Sequence, residues 1–123
     1  MIFAIESTVG DFALAETILK AVRAERPNDP EVIIVSAELN NWYYARYFDQ
    51  SDERLAAGRR DSEWALQLAP EHPAAMEVLG HHLTFRDGDP PRARRLLERA
   101  VALAPREPRY VRLLARAVFA TNR

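Results

Sequence analysis

A chain of 123 residues holds one compact domain and is too short for two of ordinary size, and its 48% apolar and 28% charged content argues against disorder or a fibrous fold. The absence of cysteine excludes disulfides, thiolate metal sites and cysteine nucleophiles. A net charge of -1 conceals an asymmetry: residues 1–85 carry 7 basic and 14 acidic side chains, residues 86–123 carry 10 and 4, and 16 of the 17 basic residues are Arg.

The opening Met1-Ile2-Phe3-Ala4-Ile5-Glu6 lacks the basic start and apolar length of a signal peptide. No later segment approaches the ~18 apolar residues of a membrane span, so a cytoplasmic location without a membrane partner is expected. Start and stop signals then predict six helices, at about 11–25, 31–48, 52–69, 74–86, 91–104 and 109–121. Asp29-Pro30, His72-Pro73, Asp89-Pro90 and Glu107-Pro108 each place proline where the first helical turn tolerates its missing N–H, and Asp is a good N-cap. Helix two is long because Trp42-Tyr43-Tyr44-Ala45-Arg46-Tyr47-Phe48 extends it, and Ser51 or Asp52 is expected to cap helix three.

Self-comparison shows a repeat. Glu63-Trp64-Ala65-Leu66-Gln67-Leu68-Ala69-Pro70-Glu71-His72-Pro73 returns 35 residues later as Glu98-Arg99-Ala100-Val101-Ala102-Leu103-Ala104-Pro105-Arg106-Glu107-Pro108, with six identities and one Leu-for-Val match. A fainter copy runs from Gly10-Asp11 through Ala15, Leu19 and Val22 to Pro27, mirroring Gly88-Asp89 through Ala93, Leu97 and Ala100 to Pro105. These intervals keep the first three apolar positions on one helical stripe.

With Met76, Leu79, Gly80 and Leu83 in one helix and Ala93, Leu97, Ala100 and Pro105 in the next, the chain resembles the tetratricopeptide repeat (TPR) family. Leu stands for two of the usual aromatics, the turn Phe85-Arg86-Asp87-Gly88-Asp89-Pro90 is one residue longer than the usual pattern, and Pro27 and Pro70 are 43 residues apart against the usual ~34. The resemblance implies an all-α, TPR-like α-solenoid of antiparallel helix pairs over 1–123, with a half-unit at 10–27, a long unit at 30–70, a unit at 73–105 and a half-unit or capping helix at 108–123. It also implies a concave groove lined by first helices: Glu31, Ile34, Glu38, Asn41 and Trp42 from one, Glu77, His81, Thr84 and Phe85 from the next, and Arg109, Arg112, Arg116 and Phe119 from the last. An acidic wall would face a basic one, with Trp42, Phe85 and Phe119 near one rim. The alternative is that Trp42 and Phe85 are core residues and the Arg row a solvated face.

The implied function is a non-enzymatic protein–protein interaction scaffold, holding a peptide or helix without cofactor or metal; the alternative is a regulatory TPR portion of a larger multidomain protein or enzyme. Half-units at both ends leave Phe12, Ile18 and Leu19 at the front, and Val111, Leu114 and Val118 at the back, without a covering helix. Such stripes usually mark a contact. With an acidic front and a basic back, head-to-tail self-association is expected, against a longer parent chain or residues 1–9 folding over the first helix. The two-carboxylate clamp of chaperone-binding relatives is not reproduced, since Ile34, Glu38 and Val78 stand where cation and Asn positions are needed.

Other chemistry finds little support. His81 and His82 are adjacent on a helix and diverge by about 100°, so they cannot share a metal, and the Asp87-Gly88-Asp89 turn lacks the other oxygens of a calcium loop. Glu38, Glu77 and His81 are the best acid–base set, but no catalytic motif contains them. An isoelectric point near 6.3 argues against nucleic acid as the partner of the segment from Arg92 to Arg116.

Overall fold

The computed structural model describes residues 8–86 and 88–121. Among them the protein is all-helical, with six helices and no strand: α1 (Val9–Glu25), α2 (Pro30–Ala45), α3 (Asp52–Leu68), α4 (Pro73–Phe85), α5 (Pro90–Leu103) and α6 (Pro108–Thr121). Each start has a local cause. Thr8 and Asp11 form a reciprocal capping box on α1, Asp29 Oδ1 accepts from Glu31 N at 3.0 Å, and Ser51 Oγ accepts from Arg54 N at 3.2 Å. His72 Nδ1 accepts from Ala74 N at 3.1 Å, which leaves the ring proton on Nε2 to donate to Glu31 at 2.5 Å. Asp89 Oδ1 accepts from Arg92 N at 3.2 Å.

The odd-numbered helices end alike. Arg26, Ala69 and Ala104, each followed by proline, close α1, α3 and α5 with φ between -132° and -140° and ψ between 65° and 72°. Proline forbids the helical conformation to the residue before it. Each connector then reads Pro-x-x-Pro, and in each the residue before the second proline donates its N–H to the carbonyl of the closing residue: Asp29 to Arg26, His72 to Ala69, Glu107 to Ala104.

Helix α2 stops at Ala45, three residues short of the predicted 48. Tyr47 takes a left-handed φ of 60°, its N–H bonds Tyr44 O at 3.1 Å, and Phe48 N–H bonds Tyr43 O at 3.0 Å, a Schellman ending without its usual glycine. A non-glycine residue there costs roughly 1 kcal/mol or more. The compensation is aromatic: Phe12 of α1 meets Tyr43 and Phe48 edge-to-face, with ring centroids 5.2 and 5.1 Å apart.

Consecutive helices pack together, and α2 also packs on α4 and α4 on α6. The α2–α3–α4 core holds Ile33, Ile34, Ala37, Ala65, Ala75 and Val78; the α4–α5–α6 core holds Leu79, Leu83, Ala93, Leu97, Leu113 and Ala117. Close approach relies on small residues. A Cβ on Gly80 would lie 2.8 Å from Leu97 Cγ, so α5 seats its leucine where α4 has no side chain.

Helices α1, α3 and α5 make no close backbone contact with one another; arginine side chains span the gaps. Arg92 forks onto both oxygens of Glu63 at 2.5 and 3.0 Å, tying α5 to α3. Arg54 of α3 reaches Glu16 of α1 at 2.6 Å, and Arg23 of α1 pairs with the buried Asp61 of α3 at 3.0 Å. Arg99 of α5 pairs with Glu71 in the α3–α4 connector.

Candidate functional site

Two adjoining depressions lie between α2 and α4. The first, about 140 Å³, is lined by Glu38, Asn41, Trp42, Ala45, Glu77, Val78 and His81. The second, about 390 Å³, shares Ala45 and His81 and adds Tyr44, Tyr47, Gln50, Phe85, Arg86 and, from α6, Arg116. Residues four apart on each helix, Glu38 with Trp42 and Glu77 with His81, supply the first because that spacing stacks side chains on one face.

The first depression is acidic. Burial pushes both Glu38 and Glu77 above the usual carboxylate range; Arg109 opposes the shift, and the Glu38 charge adds to it at Glu77. Among the described residues no cation stands within ion-pairing distance of either. Arg109 is turned to Glu107 instead, with its Nε 3.1 Å from Oε1. Burial drives His81 down to about 3, with the Arg86 charge next in effect, so the imidazole is neutral. Its Nδ1 is buried without a hydrogen-bond partner.

The second depression is aromatic and cationic. Arg86 lies 4.2 Å over the Tyr44 ring and donates to Asn41 O at 3.0 Å, while its Nε is buried without a partner. Phe85 packs on His81 at 4.9 Å and carries Arg116 5.7 Å over its ring. Tyr47, 81% exposed, stands beside them.

The expected site residues divide. Glu38, Trp42, Glu77, His81, Phe85 and Arg116 come together along this strip, with Arg109 close enough to act on both carboxylates. Ile34 and Asn41 are corrected to the interior: Ile34 packs in the α2–α3–α4 core, and Asn41 is buried with Nδ2 donating to Val78 O at 3.4 Å. Glu31 is held by His72 at the α2 start, and Thr84 Oγ1 donates to Gly80 O at 2.7 Å. Arg112 and Phe119 are exposed on α6. Sequence reasoning missed Tyr44, Tyr47 and Arg86, although the aromatic run after Asn41 and an Arg directly following Phe85 were visible signals.

At the front, the expectation of uncovered residues fails for Phe12 and Leu19. Both are buried against Leu39 and Tyr43, because α2 shields that face of α1. Ile18 remains half exposed, joined by Val9 and Leu14. At the back Val111 is exposed, whereas Leu114 packs on the α4–α5–α6 core and Val118 is partly buried. The alternative of a cover formed by residues 1–9 falls mostly on residues 1–7, outside those described, as does Asp87 of the α4–α5 turn.

No protein-family model and no curated protein matches the chain. Among the described residues no helix is long and apolar enough to cross a membrane, and no group of three or more His, Asp or Glu is placed to hold a metal ion.

Proposed function

We propose that this protein is a TPR-like α-solenoid acting as a non-enzymatic scaffold, which holds a peptide or helix of a partner protein along the α2–α4–α6 side. The recurring Pro-x-x-Pro connectors and the contacts joining α2, α4 and α6 support the architecture. The observation that carries the function is a contrast in charge pairing. Away from the strip, Asp61, Glu63 and Glu16 each meet an arginine. On the strip, Glu38 and Glu77 have no ion-pair partner among the described residues, and Arg86 and Arg116 hold only rings and a carbonyl. Charged groups without an ion-pair partner among the described residues, beside exposed aromatic rings, suit a partner protein that supplies one.

Affinity capture from native lysate tests this with Trp42→Ala/Arg116→Glu beside a control on α5, Arg95→Ala. Proteins captured by wild type and by the control, and lost from the strip variant, are the expected result; identical capture by all three rejects the strip as the contact surface.

Self-association is a second reading, favoured by the exposed Val9, Leu14 and Ile18 on α1 and Val111 on α6, in halves of opposite charge. Sedimentation velocity is expected to show concentration-dependent association that weakens with salt. A single monomeric species at high concentration and low salt would remove it.

A further inference from the structure

Helix α1 is held differently from the others. Among the described residues its backbone packs on α2 alone, whereas every other helix packs on at least two. It buries Phe12 and Leu19 among Leu39, Tyr43 and Phe48, while Val9, Leu14 and Ile18 face solvent. Toward α3 a depression of about 330 Å³ opens between the helices, crossed by the pairs Arg54–Glu16 and Arg23–Asp61. We propose that α1 is an exchangeable helix: it leaves its seat while α2–α6 stay folded, and the seat takes α1 of a second copy, giving a reciprocally exchanged dimer that is independent of what the α2–α4–α6 strip holds.

Departure of α1 strands no charge on the body. With Glu16 gone, Arg54 keeps Asp49 at 3.1 Å, Asn40 Oδ1 at 2.8 Å and the Tyr43 ring 3.8 Å from its centre. With Arg23 gone, Asp61 keeps Asn40 Nδ2 at 3.2 Å. Glu16 and Arg23 already reach solvent, so water takes over their pairing. Opening therefore costs chiefly the burial of Phe12 and Leu19, which an identical helix restores in full. The helix also carries its own start, since the Thr8–Asp11 capping box lies within it.

The hinge is lightly tied. Asp29 N–H bonds Arg26 O across the turn at 3.3 Å, beside an Arg26–Asp29 ion pair at 3.8 Å. Pro27 and Pro30 already keep the residues before them out of the helical region, so straightening this connector gives up one long hydrogen bond and one loose pair. Closed monomer and exchanged dimer otherwise hold the same contacts; the tethered α1 wins when the protein is dilute, and exchange grows with concentration.

The charges across the α1–α3 gap supply the test. In Glu16→Arg alone and in Arg54→Glu alone, like charges meet between the two helices; mixed, each copy offers the other an α1 opposite in sign to its seat. Sedimentation of the full chains is expected to show each variant alone associating weakly, the 1:1 mixture dimerising roughly 100-fold more tightly, and the double variant Glu16→Arg/Arg54→Glu staying closed. A mixture that associates no better than its components overturns the exchange, and equal association of all of them assigns the contact to the exposed ends instead. In wild type, native-state hydrogen exchange is expected to show α1 opening roughly 100-fold more often than α4, with a weaker dependence on denaturant. Amides of α1 that exchange only through global unfolding, together with those of α4, overturn the exchange whether or not the variants fold.

Discussion

Replacing Leu97 by Ala is expected to cost about 4 kcal/mol of folding stability, in the upper part of the usual range for a buried leucine. The side chain is fully buried, and its tip sits where a Cβ of Gly80 would be, so nothing on α4 can move in to fill the space. Gly80→Ala alone is expected to destabilise by roughly 1 kcal/mol: overpacking costs 1–3 kcal/mol, and the better helix propensity of alanine returns about 1. In the Leu97→Ala background the sign reverses. The new methyl now meets empty space, and Gly80→Ala should restore about 1.5 kcal/mol from propensity and burial together. A double-mutant cycle by urea denaturation measures the coupling. If Gly80→Ala has the same sign in both backgrounds, the α4–α5 fit is not the one described.

Removing Arg54 should have the next largest effect, about 3 kcal/mol for Arg54→Ala, at the lower edge of the range for a broken buried pair because solvent reaches both acidic partners. This guanidinium lies 2.6 Å from Glu16, 3.1 Å from Asp49 and 2.8 Å from Asn40 Oδ1, with its centre 3.8 Å over the Tyr43 ring. Four groups from α1, α2 and the α2–α3 connector thus share one cation. Lysine, with a point charge in place of a fork, should recover less than half of the loss. The exposed pair Arg94–Glu98 is the control, worth under about 0.5 kcal/mol. Hydrogen exchange should quicken first in α1, since Arg54 is a direct tie between that helix and α3. Unchanged protection in α1, or a loss below about 1 kcal/mol, contradicts this role.

Helix starts were legible because their causes are local. Pro30, Pro73, Pro90 and Pro108 fix the first turn with the residue before them, and the predicted starts differ from the observed ones only by counting the proline itself. The start of α1 at Val9 was signalled by Thr8-x-x-Asp11, an acid at the third position of a capping box. The end of α2 was not legible, because neither glycine nor proline marks it. Tyr47 is held left-handed by what Phe48 gains against Phe12, a contact with a residue far away in sequence.

Groove and core were confused on α2 for a different reason. That helix packs against α1, α3 and α4, so most of its circumference is buried and periodicity no longer singles out one side. Ile34 and Asn41 share an apolar-looking sequence context with Glu38 and Trp42, yet Ile34 lies in the core and Asn41, although it lines the first depression, is buried, whereas Glu38 and Trp42 stay partly accessible. The arginine ties across the odd-numbered helices were also hidden, because a salt bridge between positions 29 or 38 residues apart leaves no periodic mark.

The three Pro-x-x-Pro connectors have one more consequence, for how such a chain can change its length. Residues 73–107 run from just after one such connector to the end of the next, so a tandem duplicate of that segment would find at its entrance the junction it leaves at its exit. Gene duplication or laboratory insertion at Pro70 or Pro105 therefore alters the number of modules without requiring a new joint, whereas a cut inside the α2–α3 connector would have to rebuild the left-handed Tyr47 turn.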